Sequence, residues 1–173
     1  MKLEAVPNKS EVLDDNARKF KCEKLPPEFL KENGAYTYLL VTDWTVTDEN
    51  SETKVVLKHP ENKEPQYLLI SKTTVNGNRT TEKKKISKEE YDELLQSSVA
   101  HLEKSRSDFM YSQNGVVLAM KYDEFSDSRQ PMLEVDAKDD KERQSFDSAQ
   151  FPHKLEEVTG DIRYYGYRMT TAR

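Results

Sequence analysis

The sequence predicts a mainly β protein of the α+β class, built on antiparallel hairpins. Three observations lead there. Runs rich in Val, Ile, Thr, Tyr and Trp outnumber helical patterns, Asn-Gly pairs sit between such runs, and the best helix start occurs only once, at Ser87. With 173 residues the chain has room for one domain with a real core.

Taken in order, residues 1–13 are polar and broken by Pro7, and read as a flexible N-terminal arm; residues 14–173 read as a single domain. A first strand is expected over Ala17 to Cys22, and Leu25-Pro26-Pro27 turns the chain before a helical turn at Glu28 to Glu32. Tyr36 to Val46 is a long strand by composition, with Asp48 to Ser51 as its turn. Lys54 to His59 and Gln66 to Thr74 follow, and Asn76-Gly77 closes a hairpin onto Arg79 to Ile86. Ser87 and Glu90 form a capping box, with Ile86 placed to staple against Tyr91. Tyr91, Leu94, Leu95, Val99 and Leu102 then make one apolar stripe, read as core packing. Strands over Leu102 to Tyr111, Val116 to Tyr122 and Met132 to Ala137 come next, and Asp139 to Ser148 allows a short helix. A Tyr-rich tail follows Glu156.

Charged residues make up 34% of the chain and hydrophobic ones 35%, with a mean hydropathy of −0.93. Two arrangements accommodate so much charge: a small core under a heavily charged surface, or a wide β-barrel whose inward side chains line a solvated cavity. The net charge of −5 gives no global basic footprint for nucleic acid, so no general nucleic-acid binding is expected. The lone Cys22 excludes an intrachain disulfide and a Cys-based zinc site, and fits a reducing compartment. With no apolar run of spanning length and no signal-peptide h-region, the expectation is a soluble cytoplasmic protein with no membrane partner.

Several strands carry charge at alternating positions. Lys54 and Lys58 share a face with Val56, Lys104 and Arg106 flank Ser105, and Glu134 and Asp136 flank Val135. Residues two apart in a strand point the same way, so each pair loads one side of a sheet. If those sides share one space, cations there can hold phosphate oxygens and carboxylates a bridging divalent metal. The plainer reading is that each pair lies on the solvated face of an amphipathic strand. His59, His101 (placed in the helix) and His153 are too far apart for a metal or triad pattern. Lys83-Lys84-Lys85 reads as a solvated hairpin end, and Trp44 with Tyr164, Tyr165 and Tyr167 as packing.

The C-terminal run Glu157-Val158-Thr159-Gly160-Asp161-Ile162-Arg163-Tyr164 resembles the E-V-T-G-D-x-R-Y signature of CYTH, or triphosphate-tunnel, proteins. Upstream, Leu133-Glu134-Val135-Asp136 resembles that family's E-V-E strand and Leu102 to Arg106 its K-x-R strand. Ile70-Ser71-Lys72 stands for T-x-K, and Arg18-Lys19-Phe20 with Leu25-Pro26 for the R-K-F…L-P opening. The likeness runs from about residue 15 to 168 in the family's own order. It implies an eight-stranded antiparallel β-barrel with a few flanking helices, whose charged tunnel binds a triphosphate- or polyphosphate-bearing small molecule. The ligand would be a nucleotide, thiamine triphosphate or tripolyphosphate. By position, Lys19, Lys54, Lys58, Lys72, Lys104, Arg106 and Arg163 would contact phosphates. Asp15, Glu134 and Asp136 would hold Mg²⁺ or Mn²⁺, and Glu157 and Lys19 would act in catalysis. Arg163 could equally pair with Asp161.

The departures fall on the acids. The opening glutamate pair lands on Asp15 and Ala17, and the acid-rich strand before the helix reads Thr81-Glu82-Lys83-Lys84-Lys85. Only a lysine, Lys54 or Lys58, survives of the R-x-R strand. The resemblance thus implies metal-dependent hydrolysis of a triphosphate. The thinned acids imply an alternative, a catalytically inactive module that captures or senses a phosphorylated nucleotide. Adenylate cyclase activity is a weaker third.

Overall fold

Side chains alternate across a paired strand, so each stretch of sheet here acquires an apolar face and a polar one, and that division organises the protein. The computed structural model describes residues 5–12, 17–48, 50–164 and 166–172, with backbone alone for 5–12, 78–79 and 171–172. In chain order the strands are β1 (Ala5–Val12), β2 (Arg18–Cys22), β3 (Tyr36–Thr47), β4 (Ser51–Pro60), β5 (Gln66–Val75) and β6 (Asn78–Lys85). They continue with β7 (Ala100–Gln113), β8 (Val116–Phe125), β9 (Met132–Asp136), β10 (Leu155–Glu157) and β11 (Thr171–Ala172). The helices are α1 (Pro27–Glu32), α2 (Lys88–Leu95) and α3 (Asp140–Ser145). β2 to β9 supply the eight strands expected, and β1, β10 and β11 are additions.

The chain divides into two compact units, and β3 and β7 each pass through both. Unit 1 comprises Met1–Asp15, Leu39–Glu103 and Tyr165–Arg173; unit 2 comprises Asn16–Tyr38 and Lys104–Tyr164.

In unit 1 the strand order is β1-β6-β5-β4-β3. Val55 of β4 packs with Ile86 and Tyr91, and Leu57, Tyr67, Leu69, Leu94 and Leu95 gather around them, so α2 covers this face. The Ser87 cap forms as expected: the Glu90 N–H donates to Ser87 Oγ at 3.1 Å, Ser87 Oγ donates to Glu90 Oε1 at 3.2 Å, and Ile86 and Tyr91 are buried together. The expected helical stripe overruns the helix, however. α2 ends at Leu95, Val99 is 50% exposed, and Leu102 and His101 belong to β7. The Val99 N–H donates to the Trp44 carbonyl at 2.8 Å, so strand pairing captures this segment. Ser97-Ser98-Val99 has little helix propensity with which to resist. Residues 5–12, read from sequence as part of the arm, pair antiparallel with β6. The register shifts between Val6 and Lys9, around Pro7, where proline offers no N–H to a ladder.

In unit 2 the order is β7-β8-β9-β2-β10, every pair antiparallel. Its core lies on one face: Phe20, Cys22, Phe109, Leu118, Met120, Tyr122, Leu133 and Val135, closed over by Leu25, Phe146 and Phe151. Phe29 of α1 meets the rings of Phe109 and Phe151 edge-on at 6.0 and 5.6 Å. Burying these large side chains is worth roughly 1.5–3 kcal/mol each. Burial also pushes the Cys22 thiol up to about 12, so it is an inert part of this core.

Two Asn-Gly turns close the hairpins. Asn76-Gly77 (φ 52° and 78°) joins β5 to β6, and Asn114-Gly115 (φ 52° and 79°) joins β7 to β8. Two successive positive φ angles match the right-handed twist of the flanking strands.

Candidate functional site

Opposite unit 2's apolar face, the same strands turn out a row of charges. The register pairs Arg106 with Asp123, Lys121 with Glu134, and Glu134 with Lys19. Cross-strand partners share a face, so Lys19, Lys104, Arg106, Lys121, Asp123, Glu134 and Asp136 all stand on one side. Among the predicted residues, the structure therefore brings together Lys19, Lys104, Arg106, Glu134 and Asp136.

Asp123 is the hub of this row, and the sequence reading missed it. Only 7% exposed, it accepts from Lys104 Nζ at 2.9 Å and from Arg106 Nε and Nη2 at 2.7 and 2.9 Å. Burial pushes its carboxyl up, but the charge of Lys104 and the bonds from Arg106 outweigh that and hold it well below the usual carboxylate range. Burial likewise pulls the Lys104 ammonium down despite Asp123, whereas Arg106, also buried, is raised by its two bonds. Lys121 Nζ lies 3.2 Å from Asp136 Oδ2, and Asp136 with Glu134 overcomes burial to raise the Lys121 pKa. At the edge of the row Tyr38 donates to Asp108 Oδ2 at 2.9 Å. Asp123 and Lys121 carry the same period-two signal as the predicted pairs. No recognised motif drew attention to β8, and that is why they were passed over.

Two predicted residues stand elsewhere. Glu157 pairs with Phe20 in the β10–β2 register, which puts it on the side opposite Lys19 and Glu134. There the guanidinium of Arg18 donates to both of its oxygens at 2.8 Å. Arg163 is held by Asp161, its Nη2 2.6 Å from Oδ2, and its guanidinium lies 5.5 Å from the Tyr164 ring centre. That is the pairing role weighed for it beside phosphate contact.

Unit 1 has a polar face of its own. The register sets Glu52 against Lys72, Lys54 against Ile70 and Lys58 against Gln66, so the three predicted lysines share the side away from Val55 and α2. Lys54 Nζ lies 3.6 Å from Glu52 and 5.4 Å from the centre of the Trp44 ring, and Trp44 Nε1 donates to the same carboxylate. Lys83 and Lys85 fall on this side too, opposite Ile70 and Leu68. Asp15, the remaining predicted acid, lies outside the described residues.

Among the described residues no group of three or more His, Cys, Asp or Glu gathers as a metal cage. Glu134 and Asp136 do share one face of β9. A Mg²⁺ ion commonly takes one or two carboxylates, with water and substrate phosphate completing its octahedron. This pair therefore fits a metal that arrives with a phosphate ligand, and Mn²⁺ has the same oxygen preference.

A sheet with such a face belongs to a fold already seen in solved proteins. An inorganic triphosphatase, NE1496, shares the fold at a TM-score of 0.63 and 18% identity, covering 88% of this chain and 94% of its own. A second structure of NE1496, described as a hypothetical protein, matches at 0.62 with 18% identity, over 88% of this chain and 95% of that one. No family model matches the chain, and no curated protein matches it by sequence. The mainly antiparallel β fold is thus the one implied by the resemblance to CYTH proteins, with one correction: among the described residues the strand order runs as an open path from β1 to β10 and does not close into the expected eight-stranded barrel. Among the described residues no helix is long and apolar enough to cross a membrane.

Proposed function

We propose that this protein binds a small triphosphate- or polyphosphate-bearing ligand on the charged face of unit 2 and hydrolyses it with the help of a divalent metal. The observation that carries the reading is the convergence of Lys104, Arg106, Lys121 and Lys19 on one side of the sheet with Glu134 and Asp136 among them. The fold shared with an inorganic triphosphatase supports it.

In this reading the four cations take phosphate oxygens. The guanidinium donors of Arg106 that Asp123 does not take suit phosphate oxygens, and the lysines act as point charges. Asp123 holds Lys104 and Arg106 in place before any ligand arrives, so less ordering is left for the moment of binding, although the ligand must compete with that carboxylate for them. Glu134 and Asp136 would hold Mg²⁺ or Mn²⁺, which when bound polarises a phosphoryl oxygen. The test is phosphate release from tripolyphosphate, thiamine triphosphate and ATP with Mg²⁺ or Mn²⁺. Turnover of at least one is expected. None with any of them, in protein shown to be folded, removes the hydrolytic reading.

One observation favours a second reading, capture without hydrolysis. Glu157, the acid that the family resemblance would use in catalysis, is bound to Arg18 on the other face. Calorimetry with tripolyphosphate with and without Mg²⁺, followed by chromatography of the ligand recovered from the Mg²⁺ sample, separates the two. Tight metal-independent binding with intact ligand supports capture; recovery of shorter phosphates supports hydrolysis.

A further inference from the structure

The charged face of unit 2 does not stay charged along its whole length. On β7 it is shared by Lys104, Arg106, Asp108, Met110 and Ser112, and the register sets Asp108 against Lys121, Met110 against Ala119 and Ser112 against Val117 on β8. Toward the β7–β8 hairpin the face therefore turns apolar, with Met110 55% and Val117 53% exposed. β3 lies beside β7 and runs the opposite way: the Val99 N–H bonds to the Trp44 carbonyl, whereas Thr37 Oγ1 lies 2.7 Å from Ser107 Oγ. Tyr38 reaches Asp108, so Tyr36, two residues earlier on the same side, stands farther toward Met110. Its ring centre lies 5.5 Å from that of Tyr38, and it is 41% exposed. Among the described residues of unit 2 four large apolar side chains are exposed, and three of them stand at this one corner. Apolar surface gathered beside a polar site marks a place where something apolar binds. The opposite end of the same strands is closed to such a group. There Phe125, across from Lys104, is capped by Arg129 and Lys104, whose charges lie 5.0 and 5.8 Å from its ring centre.

We infer that the ligand of this face is an organic triphosphate, with its phosphate chain on the cations and a flat heterocyclic ring on Tyr36, Met110 and Val117. The inference rests on the phosphate reading above and narrows it, making inorganic tripolyphosphate the poorer ligand. Charge alone would favour tripolyphosphate, whose chain carries no ester, so a preference for the organic ligand has to come from this corner. Tyr36 offers a ring face for stacking and Met110 an adaptable, polarizable thioether. Spacing agrees. Two residues along a strand are about 7 Å, so Met110 and Ala119 lie one such step beyond Lys121, and Val117 lies two. That is the reach of a ring carried on a short linker from the last phosphate. The two ends also set the ligand's direction, ring toward the hairpin and terminal phosphate toward Lys104. A nucleobase and the rings of thiamine share this chemistry, and the ligands compared below tell them apart.

The test is a ¹H–¹³C methyl titration of the full chain with tripolyphosphate, ATP and thiamine triphosphate, with and without Mg²⁺. A ring stacked at the corner shifts the Met110 methyl signal through its ring current, and that signal is assigned by its loss in Met110→Leu. ATP, thiamine triphosphate or both should move it saturably, and tripolyphosphate should bind without that shift. Movement with ATP alone marks a nucleobase site, and with thiamine triphosphate alone a thiamine site. In calorimetry the better of the two should bind at least about tenfold more tightly than tripolyphosphate, the scale of one aromatic stack. Tyr36→Ala should bring that ratio down toward one, and Tyr36→Phe, which keeps the ring, should preserve it. Equal affinity for all three ligands, an unmoved Met110 methyl, or an unchanged ratio in Tyr36→Ala each overturn the inference, while tripolyphosphate binding in the same samples leaves the phosphate reading standing. If tripolyphosphate binds neither with nor without Mg²⁺, that reading fails and takes this one with it. Should Tyr36→Ala not fold, the wild-type methyl response and affinity ratio decide.

Discussion

Asp123 and the two cations on it show how much one side chain can govern. Replacing Arg106 with Gln leaves a buried carboxylate with Lys104 alone, and breaking a buried pair of this kind costs about 3 kcal/mol or more. Chemical denaturation of Arg106→Gln should show that loss, and calorimetry should show weakened tripolyphosphate binding. The acid limb of stability follows from the same residue. The folded pKa of Asp123 is depressed, so its contribution is complete above the unfolded value of about 4 and is lost as pH falls toward the folded one. Asp123→Asn should be less stable at neutral pH, yet lose less stability than wild type between pH 5 and pH 3 in urea titrations. Glu157 offers a contrast. Its side chain is 40% exposed, so water screens its pair with Arg18, and Glu157→Gln should cost no more than about 1 kcal/mol. Placed away from the cationic row, it should leave phosphate release unchanged. A collapse of turnover in Glu157→Gln would restore the catalytic role the resemblance assigns.

Among the elements, those whose local chemistry decides their shape were legible from sequence. The Ser87 helix cap and the Asn76-Gly77 hairpin both form as read. Ser87→Ala should cost about 1 kcal/mol of stability through the lost cap, measurable by thermal melting. Gly115→Ala should cost about 1 kcal/mol or more, because Gly115 sits at φ 79° where a Cβ is strained. What was not legible depends on partners distant in sequence. Val99 and Leu102 continue a helical period, but pairing with β3 near Trp44 claims the segment for the strand before and within β7. β10 is three residues long and is stabilised as a strand by β2, a neighbour more than 130 residues away, so local propensity could not announce it. The site divides in the same way. Period-two alternation placed Lys104, Arg106, Glu134 and Asp136 on common faces, while the side taken by Glu157 is set by a register that only the fold determines.

Among the described residues, a composition almost as charged as it is hydrophobic is accommodated by gathering apolar side chains on one face of each unit's strands and most of the paired charges on the other, where in unit 1 Trp44, Val56 and Ile70 are buried beside the lysines. Ligand occupancy should therefore register globally. Tripolyphosphate at about one hundred times its Kd should stabilise the folded state by about 2.7 kcal/mol, and a thermal shift assay with and without Mg²⁺ reads it directly. Because a carboxylate already occupies Lys104 and Arg106, any incoming anion must outcompete an internal tenant tethered at high local concentration. Such a lodger sets a threshold. Orthophosphate, with a single phosphoryl group, should fail to evict it, whereas a chain of three can reach past it to Lys121 and Lys19, and discrimination by length would then be built into the resting protein.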